Sequence, residues 1–144
     1  MSNFEKIVVK NRMMLHNTPP NLSDLPIYRK ALEILDISRS ISIYLQDDLA
    51  PLKEDGTEDS DIYFSGDIVQ QSVSLAPEIA NAELERHSER KHKHLDSLRQ
   101  LTNLLYKNSY RLERSNSNGK EFLPILRKEL KKFKKLQRSW MLSL

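Results

Sequence analysis

Residues 119–144 read GKEFLPILRKELKKFKKLQRSWMLSL. At about 3.6 residues per turn, the apolar side chains of this stretch recur at spacings of three and four and form one stripe. The stripe contains Phe122, Leu126, Leu130, Phe133, Leu136, Trp140 and Leu144. The other side carries the cations Arg127, Lys128, Lys131, Lys132, Lys134, Lys135 and Arg138. Such a helix buries its apolar stripe and offers its positive face to water or to an anionic partner.

The composition predicts one helical domain. The chain has 144 residues, 38% of them hydrophobic and 30% charged, with only three glycines and long runs of helix-forming residues. No cysteine is present, which excludes a disulfide framework and a thiolate metal site. No run of about 18 apolar residues occurs, and charged residues interrupt the N-terminus, so we expect a cytoplasmic protein without a membrane partner.

The charges are distributed unevenly along the chain. Residues 1–85 hold 7 lysines and arginines against 15 aspartates and glutamates, whereas residues 86–144 hold 16 against 5. Electrostatic fields of opposite sign on one domain favour oriented association. The basic part could bind a polyanion, or copies of the chain could associate head to tail. Two differently solvated surfaces would give the same counts.

Breaks in the apolar periodicity divide the chain into an N-terminal arm, residues 1–23, and a four-helix bundle, residues 24–144. The arm ends at Pro19 and Pro20, which cannot continue a helix. The first predicted helix begins near Ser23 or Asp24, either of which could cap it. The second runs from about Ser60 or Asp61 towards Glu85. The third runs from about Ser88 to Arg114, and the fourth covers Gly119 to Leu144. Mostly short connections favour an up-down-up-down, all-α bundle.

Two helices show wide or leucine-rich faces. The first has a stripe of Leu25, Tyr28, Leu32 and Leu35 beside a second stripe of Ile27, Ala31, Ile34, Ile41 and Leu45. The third has Leu95, Leu98, Leu101, Leu105 and Leu112, with Leu104 beside them. The double stripe predicts that the first helix contacts two neighbours.

Between the first two helices, residues 47–61 are acidic. Their spacing does not match a calcium loop, so a solvated loop is expected.

Residues 73–82 read VSLAPEIANA, which resembles the signature of a bacterial four-helix-bundle family. The flanks Tyr28 to Ala31 and Ser88 to Leu95 fit the same family, as does the pair Ser139 and Trp140. The family comprises the ribosomal-RNA intervening-sequence proteins and the accessory variability determinants (Avd) of diversity-generating retroelements. The proline at position 77 lies one residue later than in the family pattern, and Asn81 and Ala82 replace its glutamate and glycine.

The resemblance implies a homopentameric barrel of bundles. For the Avd branch it also implies a basic surface that binds RNA and DNA, and a reverse transcriptase as partner. We therefore predict that the protein is a non-enzymatic, Avd-like accessory protein that binds nucleic acid. The alternative is a structural oligomeric adaptor of the intervening-sequence family without a nucleic-acid role.

The predicted nucleic-acid contacts lie on the third and fourth helices. They are Arg90, Lys91, Lys93, Arg127, Lys128, Lys131, Lys132, Lys134, Lys135 and Arg138. His87, His92 and His94 stand among the cations of the third helix, where surrounding positive charge opposes a metal ion, so phosphate contact or solvation is expected instead. Tyr106 and Tyr110 would stack bases if exposed, although packing between helices explains them equally well.

No catalytic motif is present. The glycines at positions 56, 66 and 119 form neither a phosphate loop nor a dinucleotide fingerprint, and no serine stands in a nucleophile elbow. We predict no enzymatic activity, no cofactor and no metal.

Overall fold

The computed structural model describes residues 21–115 and 117–144. These residues form helices joined by loops and contain no strand. Short 3-10 turns precede the first and last helices, at Leu22–Asp24 and Asn118–Phe122. The α-helices are α1 (Pro26–Leu49), α2 (Asp61–Leu84), α3 (Ser88–Leu112) and α4 (Leu123–Leu142). No helix of the described part is long and apolar enough to cross a membrane.

The four helices form a bundle in which consecutive helices pack on one another and α4 closes on α1. The antiparallel order is clear between α3 and α4, where Thr102 bonds to Gln137 and Glu113 pairs with Arg127. Ser38 and Ser72 bring α1 and α2 together through a hydrogen bond of 2.8 Å between their hydroxyls. These contacts confirm the predicted four-helix bundle.

Apolar side chains from all four helices fill the bundle interior. In α1, the stripe that contains Ile34 and Leu45 is fully buried, and the helix contacts both α2 and α4 as the double stripe predicted. The neighbouring stripe is only partly covered, since Leu32 is exposed. In α3, Leu98 and Leu105 are buried and Leu104 is exposed. Periodicity therefore identified the inward faces but overestimated their width.

The predicted cap of α1 is wrong. Pro26 occupies the first turn as expected, but Leu25 precedes it and no side chain caps the helix. Instead, the Asn21 side chain accepts a hydrogen bond from the Ser23 amide and caps the preceding 3-10 turn, whose Leu22 is buried. The last residues assigned to the arm thus pack on α1. The rest of the arm, residues 1–20, lies outside the described residues.

The ends of the predicted stripe of α4 are also wrong. Leu123 is fully buried, whereas Phe122 is exposed and stacks on Tyr44. Phe122 belongs to the 3-10 turn, which has about three residues per turn, so the α-helical period does not extend back to it. Leu144 lies beyond the last residue of α4 and is exposed.

The acidic segment is shorter as a loop than the sequence predicted. Asp47 lies in the last turn of α1, and Asp61 begins α2. Residues 50–60 between them are exposed, apart from the partly covered Asp59. Gly56 turns this loop with a φ of 82°, a conformation that favours glycine.

Candidate functional site

The basic residues of α4 lie on its outer side, as predicted. Leu126, Leu130 and Phe133 are fully buried on the opposite side, where they pack in the bundle interior. The exposed cations are Lys128, Lys131, Lys132, Lys135 and Arg138, whereas Arg127 and Lys134 are half-buried. Lysine, arginine and leucine are strong helix formers, and Pro124 stands in the first turn, where it needs no hydrogen-bonded amide.

Two of the predicted contact residues form ion pairs within the bundle. Arg127 Nη2 lies 2.6 Å from Oε1 of Glu113, the residue that follows α3. Lys132 Nζ lies 3.2 Å from Glu129 Oε1, and the other carboxylate oxygen of Glu129 accepts a 2.6 Å hydrogen bond from Lys30 of α1. Arg127 therefore joins α4 to the end of α3, whereas Lys132 pairs within α4, and less of the charge of both is available to an external anion.

The Lys30–Glu129 pair is shielded from water. The two side chains are 17% and 11% exposed. The hydrogen bond from Lys30 is the main cause that lowers the pKa of Glu129, and the same bond raises the pKa of Lys30. Both groups are therefore held in their charged forms, which fixes α1 against α4.

Cations lie against the rings of both tyrosines of α3, although Tyr110 remains 49% exposed. Lys134 Nζ lies 4.3 Å from the centre of the Tyr106 ring. The guanidinium groups of Arg127 and Arg114 lie 5.1 and 5.4 Å from the centre of the Tyr110 ring. Such contacts orient the cations and occupy ring faces. Tyr106 is half-buried, so packing between helices explains it better than an open stacking platform.

Four exposed cations of α4 have no carboxylate within ion-pair distance among residues 21–115 and 117–144. They are Lys128, Lys131, Lys135 and Arg138. Their spacing of three, four and three residues places them along one line of the helix surface. We call this line the basic strip. Because its charges are exposed and unpaired, it is the part of α4 most available to phosphates.

The strip borders a groove between α3 and α4, with a volume of about 510 Å³. Its lining combines basic, amide and apolar side chains: His92, Leu95, Arg99, Thr102, Asn103, Lys134, Gln137, Arg138, Met141 and Leu142. Two predicted contact residues, Lys134 and Arg138, thus meet His92 and Arg99 from the other helix. The Arg99 guanidinium also lies 2.9 Å from Asp96 of its own helix.

Arg99 is not among the nucleic-acid contacts predicted from the sequence. In the sequence, Arg99 lies about two helical turns after His92 and therefore on the same side of α3. That position points to the groove only when the register of α3 against α4 is known. The predicted residues Arg90, Lys91 and Lys93 lie near the start of α3 and do not belong to the groove lining. Arg90 is exposed and lies 3.7 Å from Glu85.

The histidines are not gathered into one site. His94 Nδ1 lies 2.9 Å from Glu78 Oε2 and joins α3 to α2, while His87 and His92 are exposed. Among the described residues, no group of three or more histidines and carboxylates is placed to hold a metal ion.

Comparison with family models, with curated proteins and with solved structures gives no match for this chain. The basic strip and the groove are therefore the features from which a function is inferred.

Proposed function

We propose that this chain is a non-enzymatic accessory protein that binds RNA or DNA, chiefly through the phosphate backbone. The observation that carries the proposal is the basic strip, in which four exposed cations of α4 lack carboxylate partners among the described residues. Phosphates bind such a strip without base recognition, because lysine and arginine replace condensed counterions.

The surroundings of the strip support a polyanion as the ligand. Residues 86–144 carry 16 lysines and arginines against 5 aspartates and glutamates. Two of these carboxylates are already paired: Glu113, just after α3, with Arg127, and Glu129 of α4 with Lys30 and Lys132. The field over this part of the surface is therefore positive, which accelerates encounter with nucleic acid at low salt.

Fluorescence anisotropy with labelled single-stranded and duplex oligonucleotides tests the proposal. Affinity should fall as salt rises, with a log–log slope of about 0.7 to 0.9 per phosphate contact. The double substitution Lys135→Glu with Arg138→Glu should weaken binding by at least about tenfold and reduce that slope, since two contacts become repulsive. Lys132 is a poorer choice, because a glutamate there would face Glu129.

A matched control makes the same change in net charge in the acidic part of the chain, away from the basic strip. Arg39→Glu with Lys53→Glu alters two exposed cations outside α3 and α4. This variant should retain near-wild-type affinity. Failure of the wild-type protein to bind any nucleic acid, or equal losses in the two double variants, would contradict a role for the strip.

The alternative function, a structural oligomeric adaptor, is favoured by a different surface. A groove of about 340 Å³ between α1 and the start of α4 is lined by Asp36, Ile37, Ser40, Ile41, Tyr44, Phe122 and Ile125. Tyr44 and Ile125 are both more than half exposed, at 56% and 52%. Exposed apolar groups in one place are typical of an association surface.

The finer parts of the proposal, a homopentamer and a reverse-transcriptase partner, depend on the Avd resemblance. Sedimentation velocity at micromolar concentration tests the first, and a monomer would contradict it. A reverse-transcriptase gene beside this one, with a template repeat, would support the second. An assembled protein that fails to bind nucleic acid would leave the adaptor function as the explanation.

A further inference from the structure

The groove between α3 and α4 has a composition that phosphate binding alone does not explain. Cations line its rim, but Leu95 and Met141 contribute apolar surface and Asn103 and Gln137 contribute amides. A polyanion backbone requires only the cations. Apolar surface beside amide groups matches a nucleobase, which has hydrophobic faces and polar edges.

Gln137 is the most informative residue of the groove. Gln137 is only 7% exposed, yet it lines the groove. Its Oε1 accepts a 3.1 Å hydrogen bond from Thr102, whose hydroxyl also lies 2.7 Å from the Leu98 carbonyl. Within the described residues, Gln137 Nε2 has no hydrogen-bond partner, and it is not among the polar atoms closed off from solvent.

The free amide therefore faces the groove. The Nε2 group has two N–H donors, and each of the common nucleobases has a carbonyl or ring-nitrogen acceptor that meets them. Rotation of the amide by half a turn would present the carbonyl oxygen instead, so a polar atom faces the groove in either orientation.

The dimensions of the groove favour an unpaired base. Its volume of about 510 Å³ falls in the usual range for sites that hold a small organic group. Packed helices lie only about 8 to 10 Å apart, too close to admit a duplex between them. In a duplex the bases are also stacked and paired, so only the phosphates would reach this surface.

We propose that the α3–α4 groove holds one unpaired base of a single-stranded nucleic acid, with Gln137 Nε2 at its polar edge and Arg138 at a flanking phosphate. The proposal rests on the proposed function. It adds that the chain prefers single strands to duplexes.

The test compares single strands that share their charges and differ in their bases, together with a duplex whose bases are paired. The full chain is titrated at low salt with oligouridine, oligothymidine, an abasic phosphodiester strand and a duplex, each of about 15 nucleotides or base pairs. The oligouridine or oligothymidine strand should bind about tenfold more tightly than the abasic strand, because a bound base adds contacts to the same phosphates. The two base-bearing strands distinguish RNA from DNA as the ligand.

Two variants locate the effect. Gln137→Leu removes the amide and leaves Thr102 bonded to the Leu98 carbonyl, so no buried group loses its partner. It should lower the affinity ratio of base-bearing to abasic strand towards one. Asn103→Ala, at an exposed position of the same groove, should reduce that ratio with little risk to folding. The matched control Lys131→Ala should weaken binding to all probes by a similar factor.

The outcomes separate this proposal from the broader one. Equal affinity for the base-bearing strands, the abasic strand and the duplex would overturn the base-binding groove and leave phosphate binding intact. Tighter binding of the duplex would also overturn it. If no probe binds, the proposed function fails and this inference fails with it.

Discussion

The two halves of α4 are both rich in cations and use them differently. In residues 123–132, Arg127 and Lys132 pair with Glu113 and Glu129, and Glu129 also binds Lys30 of α1. In residues 133–142, no lysine or arginine lies within ion-pair distance of a carboxylate in the described part of the chain. The positions of nearby carboxylates, in α4 itself and just after α3, therefore decide where charge remains available for binding, and the number of cations does not.

The largest expected effect concerns how the second half of α4 is anchored. Trp140 is buried there, and its Nε1 donates a 2.5 Å hydrogen bond to Glu83 of α2. Trp140→Ala should lower the free energy of unfolding by about 3 to 4 kcal/mol, since it leaves a cavity in the bundle interior. Trp140→Phe should cost less, about 1 to 2 kcal/mol, because most of the apolar contact remains. Urea titrations of both variants measure the difference, and equal losses would contradict an apolar anchor.

The second effect concerns the ion pair between the first half of α4 and α1. Lys30→Met should lower the free energy of unfolding by about 2 kcal/mol, because Glu129 stays buried with only Lys132 as its partner. The affinity for nucleic acid should not change. The double variant Lys30→Met with Glu129→Leu should regain part of the loss, since no buried charge is then left unpaired. If the double variant is less stable than the single one, the pair contributes more than desolvation costs.

The third effect converts a paired cation of the first half into an available one. Glu113→Gln should cost about 1 kcal/mol of stability, as expected for a partly exposed ion pair. It should also raise the affinity for single-stranded nucleic acid at low salt about twofold to threefold, because Arg127 is released. Glu121→Gln is the control, since Glu121 is exposed and has no ion pair in the described part of the chain. An equal gain in the control would mean that net charge alone is responsible.

The smallest effect is a difference in pH dependence. The lowered pKa of Glu129 stabilises the fold above its ordinary value of 4.5, and this contribution is lost as pH falls through the lower folded-state pKa. The raised pKa of Lys30 stabilises the fold below its ordinary value of 10.5 and is lost only as pH rises through the higher folded-state pKa. The stability difference between the wild type and Lys30→Met should therefore shrink on strong acidification. Denaturant titrations from neutral to acidic pH measure it, and a constant difference would contradict the linkage.

The helical fold followed from the sequence because each helix shows its own apolar period. The start of α3 at Ser88 and the start of α2 at Asp61 were predicted, since both follow breaks in that period. The end of α3 at Leu112 comes two residues earlier than expected, and the start of α1 has no side-chain cap. Helix ends depend on local hydrogen bonds that periodicity does not report.

The candidate site was only partly predictable for a different reason. The periodicity of α4 alone identifies the cations on its outer side, and these include the four cations of the basic strip, from Lys128 to Arg138. The pairing of Glu129 with Lys30 joins residues far apart in sequence, and the meeting of Arg99 with Arg138 depends on how α3 and α4 align. Neither relation has a signature within a single helix, because the register between helices is set by packing of the whole interior.

An uninterrupted helix also fixes the distance between its charges. From Lys128 to Arg138 the rise of α4 amounts to about 15 Å, at about 1.5 Å per residue. A stacked strand rises about 3.4 Å per nucleotide, so the strip of one chain matches about four to five nucleotides. The binding energy of oligonucleotides should then increase strongly with length up to that number and only weakly beyond it, because further phosphates extend past the end of the strip.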